Sequence, residues 1–129
     1  METININANV PFVIGRHRDT RLAVIAQDAG ATEPMLAGTL LTPDSDGKLV
    51  PCVPANPDAT PPVDATYPVC ALLADVSDDA LVAGDVDAYV VYNTILNKEL
   101  VETVNPDLEI DETFVWEAIK NGLDIKAMN

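Results

Sequence analysis

The sequence predicts an α+β fold: a small β-rich single domain with two short helices and an extended N-terminal arm. The chain has 129 residues, the length of one ordinary domain. Short apolar segments of strand length alternate with turns rich in Pro, Gly and Asp, and helical periodicity is confined to the last third. With 48% hydrophobic and only 5% aromatic residues, the core must consist mainly of Val, Leu, Ile and Ala. We divide the chain into an arm, residues 1–21, and a β-rich domain, residues 22–129.

The arm alternates apolar and polar residues over its first 14 positions. Its apolar positions are Ile4, Ile6, Ala8, Val10 and Phe12, separated mainly by Thr and Asn. This period of two is a strand pattern, but Pro11 lacks an amide donor and Asn is unfavourable inside strands. We expect an edge strand, or an arm that pairs only when a partner supplies a second strand.

Strands and a hairpin are predicted for the first half of the domain. Residues 21–26 and 35–41 form apolar runs of strand length. The turn at 43–47 contains Asp residues that cap their own backbone and a Gly that accepts positive φ, so Leu40-Leu41 and Leu49-Val50 should pair as a hairpin. Six of the ten prolines lie within 51–68, which predicts a surface loop.

The second half combines strands with two helices. Residues 69–73 and 86–92 have strand patterns, and turns are predicted at 77–79 and 83–85. Asn93 is expected to cap a short helix that places Leu96 and Leu100 on one face. The last helix is expected at 111–121, ended by Gly122, with Trp116 packed beside it. Its predicted buried stripe comprises Phe114, Val115, Ala118 and Ile119.

The charge of the chain restricts its partners. Seven basic against 21 acidic residues give a formal net charge of −14, and residues 75–112 carry eleven acidic residues against Lys98 alone. Nucleic acids are bound by fields of Lys and Arg, so a nucleic-acid partner is excluded and anionic membranes are disfavoured. No apolar run approaches the roughly 18 residues of a membrane span, and no export signal is visible. We expect a soluble chain whose partner is a protein or a cation.

Catalytic and metal-binding patterns are weak, so we expect neither an enzyme nor a cofactor. His17 lies between two arginines, where it is difficult to orient as a base. Asp44 and Asp46 lack the third acid and the closing Glu of a calcium loop, which favours a turn. The carboxylates Asp85 and Asp87 form a pair expected by chance in so acidic a chain.

The two cysteines, Cys52 and Cys70, are 18 residues apart and lack the spacing of a zinc or redox motif. Two free buried thiols are one interpretation. A disulfide that closes the proline-rich segment is the other.

Arginines concentrate at the end of the arm, at Arg16, Arg18 and Arg21. One interpretation is a solvated stretch. The other is that these guanidinium groups pair with carboxylates of a neighbouring subunit or a larger partner.

Seven segments follow one another in a characteristic order: AGTLL at 37–41, DGKLVP at 46–51, a proline-rich insertion, ALLADV at 71–76, the Gly84-Asp85 turn, VDAYVV at 86–91 and NKEL at 97–100. This order of elements, over residues 35–101, resembles that of the lambda-type head decoration proteins of tailed bacteriophages.

This resemblance implies a non-enzymatic structural protein that binds the major capsid protein on the outer face of an expanded phage head. It would cement the head against the pressure of the packaged DNA, commonly as a homotrimer, with dimers and monomers also known. An N-terminal arm orders on the capsid in that family. We therefore expect the capsid-binding residues to be Ile4, Ile6, Val10, Phe12, Arg16, Arg18 and Arg21. The alternative is a carbohydrate- or host-surface-binding β module on the virion.

Overall fold

Five strands close into a barrel in the computed structural model, which describes Val13 and residues 19–127. In chain order they are β1 (Asp19–Ile25), β2 (Leu40–Pro43), β3 (Leu49–Pro51), β4 (Cys70–Leu72) and β5 (Val86–Tyr92). Around the barrel the order is β1-β3-β2-β4-β5. Neighbouring strands are antiparallel except for β1 and β3, which are parallel.

A second layer packs against one side of the barrel. Helix α1 (Asp78–Ala83) precedes β5; after β5 follow β6 (Thr94–Asn97), α2 (Lys98–Val104), α3 (Glu112–Lys120) and β7 (Leu123–Lys126). Strands β6 and β7 form a parallel two-stranded sheet. The predicted α+β, β-rich single domain is confirmed, although residues 19–127 contain three helices where two were expected.

Two hydrophobic clusters follow from the period of two along the strands. One face of each barrel strand fills the barrel interior, with Ile25, Leu41, Leu49, Cys70, Leu72, Ala88 and Val90. The opposite face of β2, β4 and the last residues of β5 is also buried, because the second layer covers it, whereas Asp87 and Tyr89 on that face of β5 are exposed. That outer cluster joins Leu40, Ala71 and Val91 to Leu96, Val101, Phe114, Ala118, Leu123 and Ile125. Strands that are apolar on both faces therefore form the centre of the molecule.

The hairpin predicted between residues 40 and 50 is confirmed in its strands and turn, but Leu41 pairs with Pro51 rather than with Leu49 or Val50. Thr42 pairs with Val50 and Pro43 pairs with Leu49. In the turn, Asp44 Oδ1 accepts the amides of Asp46 at 2.8 Å and Lys48 at 3.0 Å. The strands predicted at 21–26, 69–73 and 86–92 are also present, as β1, β4 and β5.

The strand predicted at 35–41 was wrong over its first half. Gly38 has a φ of 95°, a left-handed conformation that interrupts an extended chain. Met35 consequently forms only an isolated antiparallel bridge, to Val76, and β2 begins at Leu40. Between β3 and β4, the proline-rich segment has one isolated bridge, Asn56 to Val63, which agrees with the predicted loop.

Helix α1 occupies the position where the sequence predicted two turns. Ser77 caps it, its side chain accepting the Ala80 amide at 3.2 Å. Leu81 is 2% exposed and belongs to the cluster inside the barrel. This burial stabilises a helix of only six residues, which is too short to be stable alone.

The helix predicted to begin after Asn93 was placed too early. Asn93 has a φ of 50°, and the chain continues as β6. Asn97 is the actual cap of α2, its Oδ1 accepting the Glu99 amide at 3.1 Å. Leu96 is buried in β6 opposite Ile125, whereas Leu100 in α2 is 37% exposed, so the two do not share a buried helical face. The pairing of β6 with β7, which the sequence did not predict, decides this segment.

The last helix lies where it was predicted, but Ile119 and Trp116, which were expected to pack against the domain, are exposed. Asp111 caps α3 by accepting the Phe114 amide at 2.9 Å, and Gly122, with a φ of 95°, follows its end. Phe114 and Ala118 are buried, whereas Ile119 is 41% and Trp116 59% exposed. Trp116 is two residues from Phe114, about 200° around the helix, so it points away from the core.

The buried side chain of Asn105 joins the two layers. Its Oδ1 accepts the Leu40 amide at 3.0 Å, and its Nδ2 donates to the carbonyl oxygens of Gly38 at 2.9 Å and Val101 at 2.7 Å. Asn105 is 8% exposed and terminates α2. One side chain thus forms hydrogen bonds with the backbone groups at the start of β2 and at the end of α2.

Replacing Asn105 with Ala is expected to lower the free energy of unfolding by about 2–4 kcal/mol, since the Leu40 amide and the Gly38 carbonyl lose a buried partner. Urea denaturation followed by circular dichroism measures this value. Asn56→Ala in the exposed proline-rich loop is the matched control, with an expected change within about 0.5 kcal/mol. Equal stabilities of the two variants would contradict the role assigned to Asn105.

Candidate functional site

One of the seven predicted contact residues, Arg21, lies in the described part of the chain. The others lie outside the described residues: Ile4, Ile6, Val10, Phe12, Arg16 and Arg18. Arg21 is in β1, which begins at Asp19, so the last three positions of the segment 1–21 belong to the barrel.

The Arg21 guanidinium is held at the start of β1 by two neighbours. Its Nε donates to the Asp19 carboxylate at 3.0 Å, and its Cζ lies 5.2 Å from the centroid of the Tyr92 ring. The hydrogen bond from Arg21 lowers the pKa of Asp19 and raises the pKa of Arg21. The Arg21 side chain is still 63% exposed, so the oriented guanidinium is accessible to a partner carboxylate.

The N-terminal segment is attached to the domain near the end of β5. Val13 forms an antiparallel bridge with Leu96 in β6, and Asp19 pairs with Tyr92, the last residue of β5. Val13 also packs against the outer hydrophobic cluster. Described residues on both sides of 14–18 therefore contact one end of the molecule, and Val13 is placed on a sheet edge.

Next to this attachment, strands β1 and β5 expose an apolar surface that the second layer does not cover. Leu22 is 58%, Val24 39% and Tyr89 36% exposed. Leu22 is directly opposite Tyr89 in the antiparallel pair, so their side chains share one face of the sheet. We call these three residues the β1–β5 face.

A groove continues the β1–β5 face toward α1. Strand β4 ends at Leu72, and the chain beyond Leu73 diverges from β5, which leaves a cavity of about 300 Å³. Its lining is mostly apolar: Ala74, Val76, Ala80, Val86, Ala88 and Tyr89. Asp75 and Asp87 also line it. The β1–β5 face and this groove form one apolar surface bordered by carboxylates.

Positive charge does not balance these carboxylates within the described part of the chain. Each described Lys or Arg forms an ion pair elsewhere, in the pairs Arg21–Asp19, Lys48–Asp85, Lys98–Glu102, Lys120–Glu117 and Lys126–Asp124. Asp75 accepts the Ala37 amide at 2.7 Å, and Asp87 is exposed in β5. The apolar surface is therefore electrostatically suited to a positively charged partner.

The sequence analysis did not identify the β1–β5 face as a surface. A signal was present: Leu22 and Val24 alternate with Ala23 and Ile25, so a predicted strand was apolar on both faces. Sequence alone does not say whether the second face of such a strand is covered. In β2 and β4 it is covered, and in β1 it is not.

The cysteines are free and buried, which agrees with the first of the two interpretations and not with the disulfide. They belong to different hydrophobic clusters, Cys52 to the outer one and Cys70 to the barrel interior. Burial raises the pKa of each thiol to about 12, against weaker opposing hydrogen bonds from Thr66 and Tyr92. Neither thiol is a nucleophile at neutral pH.

The acidic turns carry no metal constellation in residues 19–127. No group of three or more His, Cys, Asp or Glu side chains converges there. Asp44 is occupied in its own turn, and Asp111 caps α3. Within the same residues, no helix is long and apolar enough to cross a membrane.

Comparisons with protein-family models, with curated proteins and with solved structures found no match to this chain.

The buried thiols predict a fall in stability at alkaline pH. An unfolded thiol ionises near its ordinary pKa of 9.0, whereas the folded thiols keep their protons to about 12. Below pH 9 both states are protonated. Between pH 9 and 12 only the unfolded state gains from ionisation, so each thiol lowers the free energy of unfolding by up to about 1.4 kcal/mol per pH unit.

Urea denaturation at several values between pH 8 and 10.5 measures this dependence. The double variant Cys52→Ala, Cys70→Ala is expected to be less stable at pH 8 but to lose the thiol contribution to the slope. An identical pH dependence in the double variant and the native chain would show that the thiols are not responsible.

Proposed function

We propose that this chain is a capsid decoration protein: a structural virion protein that binds the outer surface of an expanded phage head and stabilises it against internal DNA pressure. The observation that carries the proposal is the bridge from Val13 to Leu96, because it places a residue of the predicted arm on a sheet edge. An arm with strand periodicity suits the addition of a strand to a second protein. The resemblance over 35–101 supplies the identity of that protein.

The arm would bind the major capsid protein in two ways. Main-chain hydrogen bonds would supply affinity, and the alternating side chains Ile4, Ile6, Val10 and Phe12 would fix the register. Arg16, Arg18 and the exposed guanidinium of Arg21 would add salt-sensitive pairs with capsid carboxylates. Many copies, each bridging capsid subunits, would stabilise the assembled state by mass action.

The remaining parts of the proposal follow from the same reasoning. The chain would be made in the host cytoplasm, lie on the exterior of the head and act without an enzymatic step or a cofactor. It would form a homo-oligomer, with a trimer favoured by the resemblance and a dimer as the alternative. The net charge of −14 favours an exterior protein that binds neither nucleic acid nor membrane.

Deletion of residues 1–12 is expected to abolish binding to expanded heads and to leave the domain folded. The deletion keeps Val13, which packs against the outer cluster, so the core loses no described contact. Cosedimentation with heads stripped of decoration protein measures binding, and thermal unfolding checks the fold. A matched chain with Asn5, Asn7 and Asn9 replaced by Ser, which preserves the apolar positions, should still bind.

Unchanged cosedimentation of the deleted chain would overturn the role of the arm. The copy number in purified particles tests the proposal independently. A fixed ratio to the major capsid protein that matches symmetry positions is expected, and a few copies per particle would instead indicate a tail or receptor-binding part.

A second candidate function, binding of carbohydrate or a host surface, is favoured by the exposure of Trp116. Near the start of α3, a cavity of about 310 Å³ is lined by Tyr67, Phe114, Glu109 and Asp111 among others, which combines aromatic faces with carboxylate acceptors. Trp116 lies on the other side of α3 from this cavity, and as the only tryptophan its fluorescence reports a ligand that stacks on its exposed ring. Quenching that saturates with an oligosaccharide would support this function, and an unchanged spectrum with host-surface glycans would oppose it.

A further inference from the structure

We propose that the β1–β5 face and its groove form a second capsid-binding surface, which accepts an apolar segment of the capsid protein that carries Lys or Arg. This inference rests on the proposed function and adds to the arm a contact made by the folded barrel. The surface comprises the exposed Leu22, Val24 and Tyr89, together with the groove lined by Asp75 and Asp87.

The position of the face follows from the attachment of the arm. The last three residues of the proposed contact segment, residues 1–21, belong to β1, and Leu22 is the next residue of that strand. Leu22 and Val24 point to one side of β1, opposite to Ala23 and Ile25, which pack inside the barrel. A partner reaches Leu22 from the outer face of β1, whereas Arg21 shares the register of Ala23 and projects from the other face of the strand, over the Tyr92 ring.

The chemistry of the face is that of an interface rather than of ordinary protein surface. Leu22 and Tyr89 are a cross-strand pair with 58% and 36% exposure, and the adjoining groove has a volume of about 300 Å³. Tyr is enriched among the residues that contribute most of the binding energy of an interface, and Leu22 extends the apolar surface directly beside Tyr89. The groove is large enough for one or two apolar side chains of a partner.

The carboxylates of the groove favour a positively charged partner segment. Asp75 and Asp87 line the groove, and the described Lys and Arg residues are all paired elsewhere. A segment that carries Lys or Arg beside its apolar side chains would neutralise these carboxylates. A second copy of this chain, with a net charge of −14, would instead bring further acidic residues to the same surface.

The test compares variants for binding to expanded heads that lack decoration protein. The double variant Leu22→Ser, Tyr89→Ser should raise the Kd by about tenfold or more, because the apolar anchors are lost. Asp87→Lys should weaken binding by about fivefold at low salt and by less at high salt, as expected for a screened charge interaction. Ile119→Ser on α3 and Asp58→Lys in the proline-rich loop are the matched controls and should stay within about twofold of the native chain.

Two further measurements distinguish the possible outcomes of the binding test. Thermal unfolding establishes that each variant is folded, and analytical ultracentrifugation gives the mass of the free protein. If the native chain binds heads and both face variants bind them equally well, this inference is overturned and the proposed function stands. A double variant with a lower oligomeric mass would show that the face joins copies of this chain, which also overturns the inference. A native chain that does not bind heads would overturn both proposals.

Discussion

Burial of both faces of β4, and of β2 and β5 at Leu40 and Val91, is the constraint on which the architecture depends. Inward side chains of these strands fill the barrel, and their outward side chains, among them Leu40, Ala71 and Val91, are nearly inaccessible. A closed barrel alone would leave these outward residues in water, at a cost of about 1.5–3 kcal/mol for each large side chain. The layer of β6, β7, α2 and α3 removes that cost, and its own short elements are stabilised by the same contacts.

Covering the barrel requires polar groups to be satisfied where the two layers meet. Asn105 does so by bonding the start of β2 and the end of α2 with a single buried amide. The start of the barrel strand β2 is therefore held in place by the residue that ends a helix of the second layer. This coupling is consistent with one cooperative domain rather than two independent layers.

The second layer does not cover the whole barrel, and the proposed binding surfaces are next to the edge of the covered region. The second layer reaches Val91 but not Tyr89, so the outward face of β5 changes from buried to exposed within one strand, and Leu22 and Val24 of β1 are exposed beside it. That boundary adjoins the point where Val13 and Asp19 contact the domain. The proposed arm and the uncovered apolar face therefore meet near the start of β1, while the Arg21 guanidinium projects from the other face of that strand, over Tyr92.

The sequence by itself determined the fold class, the positions of β1, β4 and β5, the 40–50 hairpin, the last helix and the net acidity. These features depend on local periodicity, turn chemistry and composition, all of which are written in neighbouring residues. Only the tertiary structure decided that Thr94 begins a strand, that Ser77 caps a helix, that the two cysteines lie in separate clusters, and that Leu22 and Trp116 are exposed. The physical reason is that burial depends on which distant segment packs against a residue, and an apolar strand has the same sequence pattern whether its second face is covered or left for a partner.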